Sequence, residues 1–471
     1  MSSWHALAPQ EIKAEAAGYG RIGAGLSLSG ASLPGESVGR RFVLLILAGL
    51  AWTLPALWIP TYRWAIVAWD ALLLVAYIAD RILLPPPRSI EVTRRWKSAP
   101  SLGIAGEVEL IFTNLSTCAL QIRWSDHLPT ELAAEMPAGE IALRAGATTT
   151  ATYSITPRER GDCEAGCVYL RYRTLFGLAE RWAIADLRQQ LRVYPNFEQT
   201  RGNSLYLARS RRIELQMRMM RLRGQGSEFE SLRDYRENDE PRAICWTATA
   251  RRGKIVTRNY QVERSQAVWM VLDCGRLMNA RTEGFTKLDR AVDAALSLAQ
   301  LAMYSGDRFG LLAYGRELKQ RILPGRGPAQ MRQIVESLAV LRGEWPEADH
   351  VRAASALLSL QSQRGMVFWI TDLAETAMTP EVVESAGQLL SRHVLAFIAV
   401  AQPELRRKAA EVPESAEAMY EGAAAMELVS RRELLLARLR ERGALTLEAM
   451  PHELSTEVLN QYLRIKERNI T

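Results

Sequence analysis

The chain has 471 residues, which at roughly 150 residues per domain corresponds to about three structural units. Hydrophobic residues make up 48% and charged residues 24%, a globular balance that excludes a mainly disordered or fibrous chain. Five cysteines at this length exclude a secreted disulfide framework, and a net charge of +7 is too small to require a nucleic-acid partner by itself.

Residues 1–40 are rich in Gly, Ala and Ser, lack an apolar period, and read as a mobile cytoplasmic tail. Gly18-Tyr-Gly20-Arg-Ile-Gly23 matches a dinucleotide-loop pattern, but no strand precedes it and no helix follows it to receive a pyrophosphate. Phe42–Ile59 and Trp64–Leu84 are two apolar runs near the ~20 residues that cross ~30 Å of hydrocarbon, so residues 41–84 are predicted to form a two-helix transmembrane hairpin. Arg40 and Arg41 precede the first run, and Arg81, Arg88, Arg94, Arg95 and Lys97 end or follow the second, with only Arg63 between. The positive-inside bias then places both termini in the cytoplasm. In that frame Asp80 snorkels at the near end and Asp70 lies close to the outer interface.

Residues 85–196 alternate with period two, as in Val108, Leu110 and Phe112, or Val168, Leu170 and Tyr172. Turn sequences separate these runs, which predicts an antiparallel β-sandwich. Residues 197–262 hold an arginine-rich arm, with Arg209, Arg211, Arg212, Arg218, Arg221 and Arg223 against Glu214. The arm carries no aromatic residues for base stacking, so no nucleic acid is expected there. From Val268 apolar strands (268–272, 309–313, 366–370 and 394–400) alternate with amphipathic helices, which predicts a mainly parallel sheet covered on both faces over residues 263–471. Thr286-Lys-Leu-Asp289 reads as a capping box, and Asp273 and Asp372 stand at the carboxyl ends of strands, where ligands bind in such sheets.

The segment from Gly226 to Arg251, with Glu228, Phe229, Leu232, Arg233, Tyr235, Asp239, Arg242, Trp246 and Arg251, resembles the hallmark of a bacterial membrane-anchored family, the "domain of unknown function 58" family. The chain departs from its usual pattern at Asn238 and Cys245. The resemblance implies a multidomain fold: transmembrane helical hairpin, antiparallel β-sandwich, and an α/β von Willebrand factor type A-like (Rossmann-like) domain.

Type A domains often hold Mg²⁺ on a D-x-S-x-S motif completed by a threonine and a second aspartate. Here the motif reads Asp273-Cys-Gly275-Arg276-Leu277, with both hydroxyl positions lost, and Asp372 matches the later aspartate. On ligand count a degenerate, metal-free site is favoured over Mg²⁺, with Arg276 pairing an aspartate in the cation's stead. Nucleotide, zinc-protease and serine-hydrolase motifs are missing, and the histidines are scattered. The expected function is a non-enzymatic adaptor. The resemblance implies work with a MoxR-type AAA+ ATPase, docked through Asp273, Arg276, Asp372 and the arm residues Arg221 and Arg223. Two other readings are a Mg²⁺-dependent adhesion-type module and a hydrolase using the carboxylates of residues 228–239.

Overall fold

The computed structural model describes residues 36–53, 58, 62–196, 206, 208–210, 228–235, 244–261, 266–282, 284–372 and 379–468. The tail, its glycine motif, Arg221, Arg223, Asp239 and Arg242 lie outside these residues. The chain divides into two compact units, Met1–Tyr194 and Pro195–Thr471.

The first unit begins with strand β1 (Glu36–Val38), helix α1 (Arg40–Gly49) and helix α2 (Tyr62–Leu83). Here the sequence expectation needs correction. Among the described residues no helix is long and apolar enough to cross a membrane, so the expected transmembrane hairpin is absent. Helix α1 has ten residues, about 15 Å of rise, before a 3-10 turn at Leu50–Trp52. Helix α2 has 22 residues but carries Arg63, Asp70, Asp80 and Arg81. Asp80 does not snorkel: it is buried, accepting hydrogen bonds from the Thr174 hydroxyl and, at 2.8 Å each, from the Leu178 and Ala179 N–H groups. Its carboxylate thus ties the end of α2 to the chain around residues 174–179. The two helices touch where Gly49 faces the Trp69 indole, whose Nε1 donates to the Leu45 carbonyl at 3.2 Å. A Cβ at position 49 would lie 2.7 Å from that ring, so the missing side chain permits the approach.

The remaining strands are β2 (Ile90–Trp96), β3 (Gly106–Asn114), β4 (Leu120–Asp126), β5 (Ala138–Leu143), β6 (Thr148–Ile155), β7 (Gly161–Ala165), β8 (Val168–Thr174), β9 (Ala179–Ala185) and β10 (Gln189–Val193). They form an antiparallel five-stranded sheet ordered β1-β9-β8-β4-β5, a three-stranded sheet β2-β3-β6, and a ribbon β10-β7. Period-two alternation has its usual meaning here: Val108, Leu110 and Phe112 point inward from β3, and Leu120, Ile122, Val168 and Leu170 from β4 and β8. Both sheets contribute to one core, and Leu84 and Tyr77 at the end of α2 pack against it.

In the second unit β11 (Glu228–Asp234) pairs antiparallel with β12 (Val256–Gln261), joined through helix α3 (Trp246–Arg252). The main sheet contains β13 (Ala267–Asp273), followed by a small ribbon β14 (Arg281–Thr282) and β15 (Phe285–Thr286) and by helix α4 (Lys287–Tyr304). It continues with β16 (Arg308–Tyr314), β17 (Leu318–Gly325), helices α5 (Gly327–Ala339) and α6 (His350–Leu360), β18 (Met366–Thr371), α7 (Thr379–Leu390), β19 (Val394–Val400), α8 (Pro403–Ala410), α9 (Ala416–Glu441), β20 (Leu445–Ala449) and α10 (Leu454–Arg468). Its strand order is β17-β16-β13-β18-β19-β20, parallel except for the β17 edge. Every residue of β13 and β18 is buried, because helices cover both faces of a parallel sheet. The chain is therefore a mixed α/β molecule with several sheets.

Candidate functional site at the sheet switch point

From β13 the chain crosses to β16 on one side and later returns to β18 on the other. Neighbouring loops diverge between β13 and β18, which is where open α/β sheets form a crevice. Asp273 ends β13, Thr371 ends β18, and Asp372 follows it.

Asp273 is held by its neighbours. The Thr371 hydroxyl donates to Oδ2 at 2.6 Å and the Gly275 N–H to Oδ1 at 2.7 Å. Burial pushes the Asp273 carboxyl up to about 6, opposed by these two donors and assisted by the nearby Asp372 charge. Gly275 is required by a close approach rather than by its backbone angle: a Cβ there would lie 2.9 Å from the Ala348 nitrogen. Restoring a serine at this motif position would push the 346–348 loop away.

Asp372 is surrounded by cations. The capping box between Thr286 and Asp289 fixes the start of α4, with Asp289 N–H donating to the Thr286 hydroxyl at 3.0 Å and Thr286 N–H to the Asp289 carboxylate at 2.9 Å. The first residue of that helix, Lys287, donates through Nζ to Asp372 Oδ2. Gln402 Nε2, from the loop after β19, reaches the same oxygen at 2.7 Å, and Arg432 Nη1, from α9, reaches Oδ1 at 3.0 Å. Arg432 also donates to the Val400 carbonyl and pairs at 3.2 Å with Glu448 on β20, which in turn pairs with Arg406. Burial depresses the Lys287 ammonium, opposed by the adjacent Asp372 charge. Protein cations and an amide thus occupy both Asp372 oxygens. Among the described residues no group of three or more His, Cys, Asp or Glu side chains is placed to hold a metal ion.

Asp273 and Asp372, expected at the partner surface, are buried. Arg276 is exposed and pairs with Glu347 at 3.5 Å. Its N–H donates to the Pro346 carbonyl at 3.2 Å, and the Glu344 N–H to the Cys274 carbonyl at 2.7 Å, so the 344–347 loop lies against the motif loop. That loop presents Trp345, 81% exposed, a residue without any motif to single it out. Leu277 is half-buried.

The hallmark residues build a different local structure. Glu228, Phe229, Leu232 and Arg233 lie on β11, which is irregular between Phe229 and Ser231. Tyr235 N–H donates to the Ile255 carbonyl at 3.0 Å, and Cys245 N–H to the Val256 carbonyl at 2.8 Å, closing the hairpin around α3. Trp246 and Arg251 on α3 are exposed, as are Asp234 and Tyr235. Buried Cys245 has its Sγ 3.4 Å from the Thr247 hydroxyl, and buried Cys274 has its Sγ 3.9 Å from the Leu272 carbonyl. Arg209 of the arm forms a bidentate pair with Glu467.

The segment running from β11 through the switch point to α9 carries the decisive likeness. Residues 231–431 match the family "Protein of unknown function DUF58". The DUF58 match therefore includes Asp273, Lys287 and Asp372 and ends one residue before Arg432. An uncharacterized protein of Mycobacterium bovis, Mb1516, is 28% identical over 155 residues, covering 32% of this chain and 48% of that protein. The uncharacterized protein YeaD of Bacillus subtilis is 23% identical over 192 residues, covering 41% of this chain and 45% of that one. The chain thus spans about half the length of these relatives. Among solved structures, a conserved hypothetical protein, BatB from Bacteroides thetaiotaomicron, aligns at TM-score 0.31 with 12% identity, covering 43% of this chain and all of that one. Proximal thread matrix protein 1 from the mussel byssus aligns at 0.30 with 12% identity, covering 43% of this chain and 47% of that chain.

The raised Asp273 carboxyl gives a pH signature. Its folded pKa, about 6, lies above the ordinary 3.8, so the folded state holds the proton more tightly than the unfolded state. Stability contributed by this group is greatest below pH 4 and falls as pH rises through 6. The difference in unfolding free energy between Asp273→Asn and the parent should therefore change by about 2 kcal/mol in the variant's favour between pH 4 and 7. Urea denaturation at each pH measures it, and a pH-independent difference would contradict the assignment.

Proposed function

We propose that this chain is a non-enzymatic protein-binding adaptor at the bacterial inner membrane, with its termini cytoplasmic. Its second unit is read as a von Willebrand factor type A-like domain that works with a MoxR-type AAA+ ATPase. The observation that carries this reading is the pairing of a neutralised interior with an exposed rim at the carboxyl edge. Lys287 and Arg432 neutralise Asp372 internally, so the site is set without a ligand. Around it Arg276 and Trp345 stand in solvent on abutting loops, and arginine and tryptophan are the residue types that most often anchor interfaces. The location is supported by apolar side chains that α1 and α2 leave exposed, among them Leu44, Leu47, Leu74 and Val75.

The test is co-purification of the tagged chain with the organism's MoxR-type ATPase. Joint replacement Arg276→Glu and Trp345→Ala should reduce recovery about thirtyfold, the loss associated with one strong anchor, while circular dichroism stays unchanged. Undiminished recovery would place the docking surface elsewhere.

A further inference from the structure

We infer that the outer face of the five-stranded sheet is a binding site for the phosphate headgroup of an anionic phospholipid. This rests on the membrane location proposed above and not on the ATPase. The face holds a cavity of about 390 Å³ whose charged lining is Arg41, Arg123, Arg171, Arg173, Glu140 and Glu180, four arginines against two glutamates. Strand register explains the cluster. Arg123 on β4 stands directly opposite Arg171 on β8, and Gln121 opposite Arg173, so three arginines share one small patch. Like charges directly opposite each other destabilise a sheet, and the two carboxylates offset them only partly. Glu180 is buried and serves both Arg171 and, at 3.6 Å, Arg173, while Glu140 serves Arg123. Arg173 Nε also donates to Gln121 at 3.1 Å, and the Arg171 guanidinium lies 5.0 Å from the Trp182 ring centre. The surplus of two positive charges in a concave site suits an anion, and the planar forks suit phosphate oxygens.

The rim indicates that the anion carries apolar chains. Arg41 donates to the carbonyls of Leu175 and Phe176 at 2.7 and 3.1 Å, which joins the start of α1 to the loop after β8. Leu175 and Phe176 are 60% and 65% exposed, and Leu44, one turn along α1 from Arg41, is exposed as well. Trp182, partly exposed beside Arg171, is of the type that collects at membrane interfaces. Basic groups and apolar side chains side by side fit a headgroup and its acyl boundary.

Flotation of the full chain with phosphatidylcholine vesicles, pure or containing about a quarter phosphatidylglycerol, tests the site. Anionic vesicles should bind at least about tenfold more tightly than neutral ones at low salt. Arg41→Gln with Arg123→Gln should weaken that binding about 25-fold, near fivefold per arginine, whereas Glu140→Gln should strengthen it about fivefold. The pair Arg188→Gln and Arg192→Gln, whose parent side chains pair with Asp186 and Asp162 outside the cavity, should change it less than twofold. An equal loss in that pair would overturn the cavity as the site, and displacement by about 10 mM inorganic phosphate would overturn the lipid assignment. Equal binding to both vesicle types would overturn this inference while leaving the membrane location standing. Binding to neither would overturn both.

Discussion

Replacing Asp372 by asparagine is expected to destabilise the second unit by about 3–5 kcal/mol, the cost of removing one partner from a buried ion pair. The carboxylate is fully buried, and Lys287 and Arg432 are nearly so. Without it Arg432 keeps Glu448 and the Val400 carbonyl, but Lys287 loses its anion. The lysine would then shed its proton in the folded state and hold it in the unfolded state. A base depressed in this way loses stability as pH falls, so the deficit should narrow as pH rises from about 7 toward 10. Hydrogen exchange of the β18 amides in the full chain reads this unit by itself. Joint replacement Lys287→Met and Asp372→Leu should recover part of the loss, because an apolar pair leaves no charge stranded. A single-variant deficit below about 1 kcal/mol would mean that Lys287 and Asp372 are not paired.

The same residues show what a sequence can and cannot disclose. Strands β13, β16, β18 and β19 are legible as unbroken apolar runs because both their faces are buried. The edge strand β17 is not, since Leu318-Lys-Gln-Arg offers no sustained alternation and its pairing with β16 is irregular. Asp273 and Asp372 are legible from their places at strand ends. Their partners are not: Lys287 and Arg432 lie 85 and 60 residues from Asp372 in sequence, on helices whose periodicity reports only an apolar face. Lys287 even sits inside the recognisable capping box, but a box fixes where a helix begins and not what its first side chain meets.

The membrane hairpin misled for a related reason. An apolar run in sequence does not show how long a helix it makes: the first run gives ten helical residues before a 3-10 turn, and the second helix includes four charged residues. Asp80 looked like a terminal charge free to reach solvent, yet three donors from the β8–β9 connection surround it. Arg94 is one of the charges that follow the second apolar run, yet its side chain is only 2% exposed. Local charge tallies treat every arginine as solvated. Only tertiary pairing distinguishes one at a surface from one inside a core.

Arg94 is accordingly where the first unit should be most sensitive. Its guanidinium forks onto the buried Asp126 carboxylate, with Nε donating at 2.9 Å, and also donates to the Leu187 and Gly166 carbonyls at 2.9 Å each. The Tyr153 hydroxyl donates to the same carboxylate, and burial, reinforced by the Asp126 charge, raises the Tyr153 phenol well above its ordinary value. One arginine therefore links β2, β4, the β7–β8 turn and the loop before β10. Arg94→Met should cost about 3–5 kcal/mol, measured by hydrogen exchange of the β3 and β4 amides. Asp126 would retain Tyr153 but no cation, leaving a buried carboxylate whose charge is uncompensated. An acid raised by folding loses stability as pH increases, so this deficit should be largest near neutrality and shrink toward pH 4. The direction is opposite to that expected for Asp372→Asn, because one variant strands an anion and the other a cation. If both deficits moved the same way with pH, a general loss of packing would explain them better than the two buried pairs.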